Sequence, residues 1–151
     1  MKLLKWIGLV LLILLVGLQF IPTRSNQSSA VTSIHFVKTF KVPADVENIL
    51  SVSCYNCHSN NTNYPWYSRV QPVGLFLESH ISKGKEELNF SEFGDYSIRK
   101  QKSKLKSMIS QIEKGEMPLK SYTFIHRDAR LSKEDKKTLV NYFNSIQDSL
   151  R

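Results

Sequence analysis

The five residues from Cys54 to His58 constrain the fold of this chain most strongly, because they form a C-x-x-C-H motif. This is the attachment pattern of a c-type haem. Two thiols three positions apart can reach the two vinyl groups of one porphyrin and form thioether bonds. The imidazole that follows is delivered under the ring to bind the iron. The motif therefore predicts one covalent haem c, attached through Cys54 and Cys57, with His58 as the proximal ligand.

Two other interpretations of the cysteine pair remain open. Cys54 and Cys57 are the only cysteines of the chain, so a disulfide between them would close a very tight ring. Such dithiols are usually redox motifs on a βαβ fold, and no βαβ pattern is visible. A zinc site would need a second pair of ligands at similar spacing, and the sequence has no second C-x-x-C. Both alternatives are therefore weaker than haem attachment.

The N-terminus carries an export or anchoring signal. Lys2 and Lys5 precede an apolar run, 6–18, which Pro22 ends soon afterwards. The run lies between the length of a signal-peptide core and that of a membrane span. No A-x-A-like pattern precedes Pro22, which favours an uncleaved transmembrane anchor over 1–24 rather than a cleaved signal. The two lysines predict a cytoplasmic N-terminus, with the following domain in the periplasm or another extracytoplasmic space. Cleavage would instead release a soluble periplasmic protein.

For the rest of the chain, the sequence predicts a polar linker, 25–36, and one folded domain, 37–148. Its apolar residues recur at helical spacing, and no stretch alternates as a half-buried strand would. The predicted helices run from Pro43 into Cys54, over Val73–Ile81, over Ile98–Ile112 with a stop at Gly115, and from a capping box at Ser132 and Asp135. The predicted class is all-α, preceded by the N-terminal helix.

A haem iron bound by one histidine needs a sixth ligand, or its sixth coordination site stays open. Met117 lies in an irregular loop beside Pro118 and is the predicted distal ligand, since methionine opposite histidine is the electron-transfer arrangement. Met108 lies on the apolar stripe of a predicted helix, where a core role is expected. The rival ligands are the histidines outside the motif, first among them His126. The others are His80 and His35.

Four more side chains are candidates for contact with the haem. Arg127 or Arg130 is expected to neutralise a haem propionate, helped by the indole N–H of Trp66. The alternative is that both arginines are solvated loop residues. Tyr122 is a candidate to hydrogen-bond the sulfur of Met117, with packing as the alternative role.

The formal net charge of +8 favours an acidic partner or an anionic membrane surface, or reflects only a solvated basic face. Nucleic acid is a poor partner for an exported chain.

The motif is one of several that occur in a set order. The others are Ser59-Asn60-Asn61-Thr62, Tyr64-Pro65-Trp66-Tyr67, Gln71-Pro72-Val73-Gly74, Glu87-Leu88-Asn89-Phe90-Ser91, Gly115-Glu116-Met117-Pro118, Tyr122 and His126-Arg127-Asp128-Ala129. Together they resemble the haem-binding domain family of small c-type cytochromes, over roughly Phe36 to Ile146. The resemblance implies one covalent haem in a cytochrome c-like helical domain, attached through Cys54 and Cys57. It also implies His58 and Met117 as axial ligands and a location outside the cytoplasmic membrane.

The expected function is electron transfer rather than catalysis. Two axial protein ligands leave no open coordination site, and a membrane tether would confine the carrier near its redox partner proteins. The alternatives are a peroxidase-like haem enzyme, in which His126 and Arg127 form an acid/base pair, and a gas sensor with a displaceable Met117.

Overall fold

The computed structural model describes residues 1–23, 25–28 and 32–150. Its α-helices are α1 (Lys2–Leu18), α2 (Phe36–Phe40), α3 (Ala44–Ser53), α4 (Tyr55–His58), α5 (Val73–Glu87), α6 (Ile98–Lys114), α7 (Lys120–Ile125) and α8 (Lys133–Ser149). Short 3-10 helices span Trp66–Arg69, Phe90–Asp95 and Arg127–Ala129. Within the described ranges there is no β-strand, only an isolated bridge between Gln27 and Asn61. The prediction of an all-α fold is confirmed.

The hydrophobic core joins α2, α3, α6 and α8. Phe36 of α2 is fully buried and meets Phe90, Phe93 and Phe143 edge-on, with ring centroids 5.2, 5.0 and 6.2 Å away. Edge-to-face pairs of this kind stabilise by about 0.5–1.5 kcal/mol beyond the area they bury. Leu50 of α3 is buried in the same cluster. The core therefore supports the C-terminal end of α3, where the C-x-x-C-H motif begins.

The strongest local signals for helix ends are confirmed. Gly115 ends α6 in the left-handed conformation, with φ 68°, which glycine adopts without steric cost. Ser132 and Asp135 form the expected capping box at the start of α8. Pro43 is the N-cap of α3 rather than its first helical residue.

Other boundaries differ from the sequence prediction. α5 continues to Glu87, six residues beyond the predicted end at Ile81, so Gly84 lies inside the helix rather than after it. The short helices α2 and α7 were not predicted, because five or six residues carry too little periodicity to be recognised.

The segment before α2 is more tightly held than a flexible linker. Asn26 donates from its side-chain amide to Ser59 O and Thr62 Oγ1, at 2.9 Å each, and accepts from Lys85 Nζ at 2.6 Å. The predicted linker, 25–36, therefore contains residues that pair with the folded domain. Positions 24, 29–31 and 151 lie outside the described residues.

α1 is apolar from Trp6 to its end at Leu18, and none of its residues is buried against the domain. In the part of the chain that the structure describes, no helix combines the length and apolar character needed to span a membrane. The predicted transmembrane helix is thus not supported. Beyond α1, the side-chain amide of Gln19 donates to Gln71 O at 3.1 Å and accepts from Gln71 N at 3.0 Å.

Candidate haem site

The C-x-x-C-H motif lies at a break between two helices. Cys54 ends α3 and precedes α4, with φ −128° and ψ −44°. Its carbonyl accepts from the backbone N–H groups of Cys57, at 3.2 Å, and His58, at 3.0 Å. One helical turn therefore brings the two cysteines to the same side of the chain. Both thiols are free.

The two cysteines are half-buried. Burial, with a smaller contribution from Cys57, raises the pKa of the Cys54 thiol to about 12, and burial also raises that of Cys57. A redox-active dithiol needs the opposite shift, towards a stabilised thiolate. The environment of the pair therefore does not favour the redox interpretation.

The imidazole of His58 has a defined orientation. Its Nδ1 lies 2.8 Å from Gly84 O and 3.1 Å from Leu88 O. Both partners are carbonyl oxygens that only accept, so Nδ1 carries the proton and Nε2 keeps its lone pair for a metal. Burial lowers the pKa of His58, which keeps the ring neutral. A backbone carbonyl on the far nitrogen is the usual support of a metal-binding histidine.

Gly84 permits this contact because it has no side chain. A Cβ at this position would lie 2.7 Å from Cys57 O, closer than a Cβ atom can approach a backbone oxygen without a clash. α5 can therefore pass directly against α4 and bring the carbonyl of Gly84, and that of its C-cap residue Leu88, to His58.

A cavity of about 380 Å³ opens beside these residues. Its lining includes Cys54, Cys57 and His58, and also Met117 from the loop after α6. Most of the other lining side chains are apolar, among them Leu50, Leu88, Phe90, Met108, Ile112, Leu131 and Phe143. A cavity of this size and character suits a small-molecule cofactor.

Met117 is held in this position by the end of α6. After the turn at Gly115, the N–H groups of Glu116 and Met117 both donate to Gln111 O, at 2.9 and 3.3 Å. Met117 is half-buried, and the following Pro118 and Leu119 line the cavity with it.

A family model described as a haem-binding domain matches residues 13–145, which is most of the chain. The chain belongs to the haem-binding domain family. No match was found among curated proteins or among solved structures.

A haem cofactor fits the residues that this family member brings together. His58 offers an unprotonated nitrogen, Met117 a thioether and the two cysteines free thiols, all at one largely apolar cavity. By contrast, the described ranges contain no group of three or more His, Cys, Asp or Glu side chains that could hold a metal ion alone. The zinc alternative therefore has no geometric support there.

Tyr122 of α7 also lines the cavity, and its hydroxyl oxygen is a hydrogen-bond acceptor. It accepts a 2.9 Å hydrogen bond from the side-chain amide of Asn56, the residue immediately before Cys57. The Asn56 amide oxygen in turn accepts from Asn63 N at 3.0 Å. Burial raises the pKa of Tyr122. No local sequence pattern indicates this contact, because 66 residues separate its partners.

The rival histidines occupy different surroundings. His126 does not line the cavity. Its ring stacks on Tyr122 at 4.3 Å, and its Nε2 is 2.6 Å from the hydroxyl of Tyr67. His35 is buried at the start of α2 and accepts from Val37 N. His80 does line the cavity, with Nδ1 2.9 Å from Phe76 O.

The predicted propionate partners are not among the residues that line the cavity. Trp66 is 80% exposed and packs edge-on against Tyr67. Arg127 is exposed, and Arg130 donates through Nε to Thr123 O at 3.0 Å. None of these three side chains lines the cavity. Its lysines are instead Lys83 of α5 and Lys104 of α6, which sequence reasoning overlooked. Lys104 lies one turn before Met108 on the inward face of α6, and that spacing was the available signal.

Proposed function

We propose that this protein is a monohaem c-type cytochrome that carries electrons outside the cytoplasmic membrane. The observation that supports this most directly is the single cavity shared by the two thiols, the imidazole and a thioether. Bound there, haem supplies an iron that exchanges one electron with its partners.

The protein residues have separate roles in this proposal. Cys54 and Cys57 would hold the haem covalently, each through a thioether made by addition of its S–H across a vinyl group. His58 would bind the iron through Nε2, because its Nδ1–H is committed to Gly84 O and Leu88 O. Met117 would bind it through sulfur, a soft neutral ligand that raises the reduction potential relative to a second imidazole.

The proposed ligand pair argues for a carrier rather than an enzyme. With His58 and Met117 both bound to the iron, no position would be left for a substrate. The peroxidase alternative needs acid/base groups beside the iron. The pair considered for that role, His126 and Arg127, does not line the cavity.

The proposed location follows from the chemistry and from the N-terminus. Thioether attachment of haem takes place outside the cytoplasmic membrane. The helix α1, with Lys2 and Lys5 at its N-terminal end and an apolar run after them, is the kind of segment that directs export. Redox proteins at the outer side of that membrane are the proposed partners.

Acid–acetone extraction and an optical spectrum of the native holoprotein test the proposal. We expect the pigment to stay with the polypeptide, and CO to leave the spectrum of the reduced protein unchanged. Pigment that is extracted would show that attachment is not covalent. A CO adduct would show an accessible sixth site and favour the sensor or enzyme. The Cys54→Ala/Cys57→Ala variant is the control, since its pigment should be extractable.

A further inference from the structure

The cavity has a polar side as well as an apolar one. Its charged lining residues are Lys83 and Glu87 on α5 and Lys104 on α6. Ser107 and Gln111 follow Lys104 by three and seven residues, so one face of α6 presents three polar side chains to the cavity. The cysteines lie on other elements, at the end of α3 and in α4.

Lys104 is poorly neutralised for a half-buried cation. Its side chain is 24% exposed, and its Nζ lies 3.6 Å from Glu87 Oε2, beyond hydrogen-bond distance. Glu87 itself is 83% exposed, so water screens its charge. Partial burial of an ammonium is unfavourable unless an anion approaches it. The cavity therefore offers a site for an anionic group beside Lys104.

A haem carries two anions of this kind. Its two propionate carboxylates leave the porphyrin on the side away from the vinyl groups. If Cys54 and Cys57 hold the vinyl side, the carboxylates point away from α3 and α4. The described lining has ammonium groups on α5 and α6, and none on α3 or α4.

We propose that Lys83 and Lys104 bind the haem propionates, in place of Arg127 and Arg130. The inference rests on the proposed function, because it requires haem to be attached through Cys54 and Cys57. Each ammonium donates charge-assisted hydrogen bonds to a carboxylate, and Ser107 and Gln111 lie beside Lys104 to solvate the same groups. On binding, Lys104 exchanges the distant Glu87 for a closer carboxylate.

Redox-difference infrared spectroscopy of the holoprotein tests this contact directly. Haem labelled with ¹³C at the propionate carboxyls identifies the carboxylate bands by their isotope shift. We expect these bands to shift in Lys83→Gln and in Lys104→Gln. We also expect the reduction potential to fall, because removal of a neighbouring positive charge stabilises the oxidised haem relative to the reduced haem. Lys106→Gln, an exposed lysine of α6 outside the cavity lining, is the matched control and should leave the bands in place.

The outcomes separate this inference from the proposed function. Unshifted bands in both cavity variants, or bands that shift in Arg127→Gln instead, would overturn the lysine assignment while leaving a covalent haem protein. Loss of pigment from the wild-type protein on acid–acetone extraction would refute the attachment itself. If Lys104→Gln does not accumulate, Lys83→Gln carries the test, because its side chain is exposed and its removal leaves the core unchanged.

Discussion

At the scale of single residues, two methionines reach the cavity and their surroundings differ. Met108 is 9% exposed and belongs to the hydrophobic core, whereas Met117 is half-buried in the loop after α6. A core methionine is held by its packing partners, while a loop methionine supported by backbone hydrogen bonds can present its sulfur. We therefore propose Met117, rather than Met108, as the ligand.

Substitution of Met117 gives the clearest test of the ligand. Met117→Ala should open the sixth site, give high-spin iron and allow CO to bind. Met117→His should keep the iron low-spin but lower the reduction potential, because imidazole favours Fe(III) more than a thioether does. Optical spectra, including the near-infrared methionine–iron band, and redox titration measure both effects.

Met108→Leu is the control and should retain that band. A Met117→Ala spectrum identical to wild type would make His80, which lines the cavity, the next candidate.

The hydrogen bond between Asn56 and Tyr122 joins α4 to α7 beside Cys57. Tyr122→Phe keeps the aromatic ring against His126 but removes the acceptor, so we expect the free energy of unfolding to fall by about 1 kcal/mol. A double-mutant cycle with Asn56→Ala, followed by urea denaturation of the holoprotein, isolates the contact. Strictly additive losses would show that the two groups are not coupled.

At the scale of secondary-structure elements, the contact between α4 and α5 orients the imidazole of His58. Gly84→Ala should shift this contact. A glycine-to-alanine change in an exposed helix stabilises by about 0.5–1 kcal/mol, whereas overpacking costs about 1–3 kcal/mol. The clash would be with the Cys57 backbone, which cannot rotate away, so destabilisation should prevail. Urea denaturation and the haem content per chain measure the effect, with Ser82→Ala on the same helix as control. Greater stability in Gly84→Ala would show that the two helices tolerate a wider spacing.

The turn after α6 is a second element on which the site depends. Gly115→Ala places a Cβ in the left-handed region and should lower the free energy of unfolding by about 1–2 kcal/mol. Gly115→Asn should cost less, because asparagine adopts this conformation more readily. Thermal denaturation of the two variants compares them directly. Equal losses in both would mean that the backbone conformation is not the cause.

At the scale of the whole molecule, His35 links stability to pH. It is 8% exposed, and burial, reinforced by Lys38, lowers its pKa below the ordinary 6.5, although Glu47 opposes the shift. The unfolded chain therefore takes up a proton first as the pH falls. The contribution of His35 to stability is complete above about pH 6.5 and is lost as the pH falls towards its folded pKa.

Urea midpoints at several pH values test this linkage. Between about pH 7.5 and about pH 5.5, the wild-type holoprotein should lose more stability than His35→Gln, whose side chain does not titrate. Parallel pH profiles for the two proteins would mean that other groups dominate the acid sensitivity.

The residues that are close together in sequence were the easiest to predict. A few adjacent residues decide each of three features: the C-x-x-C-H motif, the Gly115 turn and the Ser132 capping box. The same holds for the helical periodicity of α6 and α8, which sufficed for the fold class. The short helices and the true end of α5 were missed, because their stability comes from packing rather than from local pattern.

The sequence by itself determined the chemistry that the chain carries: two thiols, an imidazole and a thioether at recognisable positions, in an all-helical domain. Only the tertiary structure decided which other side chains share their cavity. It brought in Lys83 and Lys104 and left Trp66 and Arg127 outside. Helix packing sets which face of each element is turned inward, and this depends on contacts between residues far apart in the chain. No local pattern encodes those contacts.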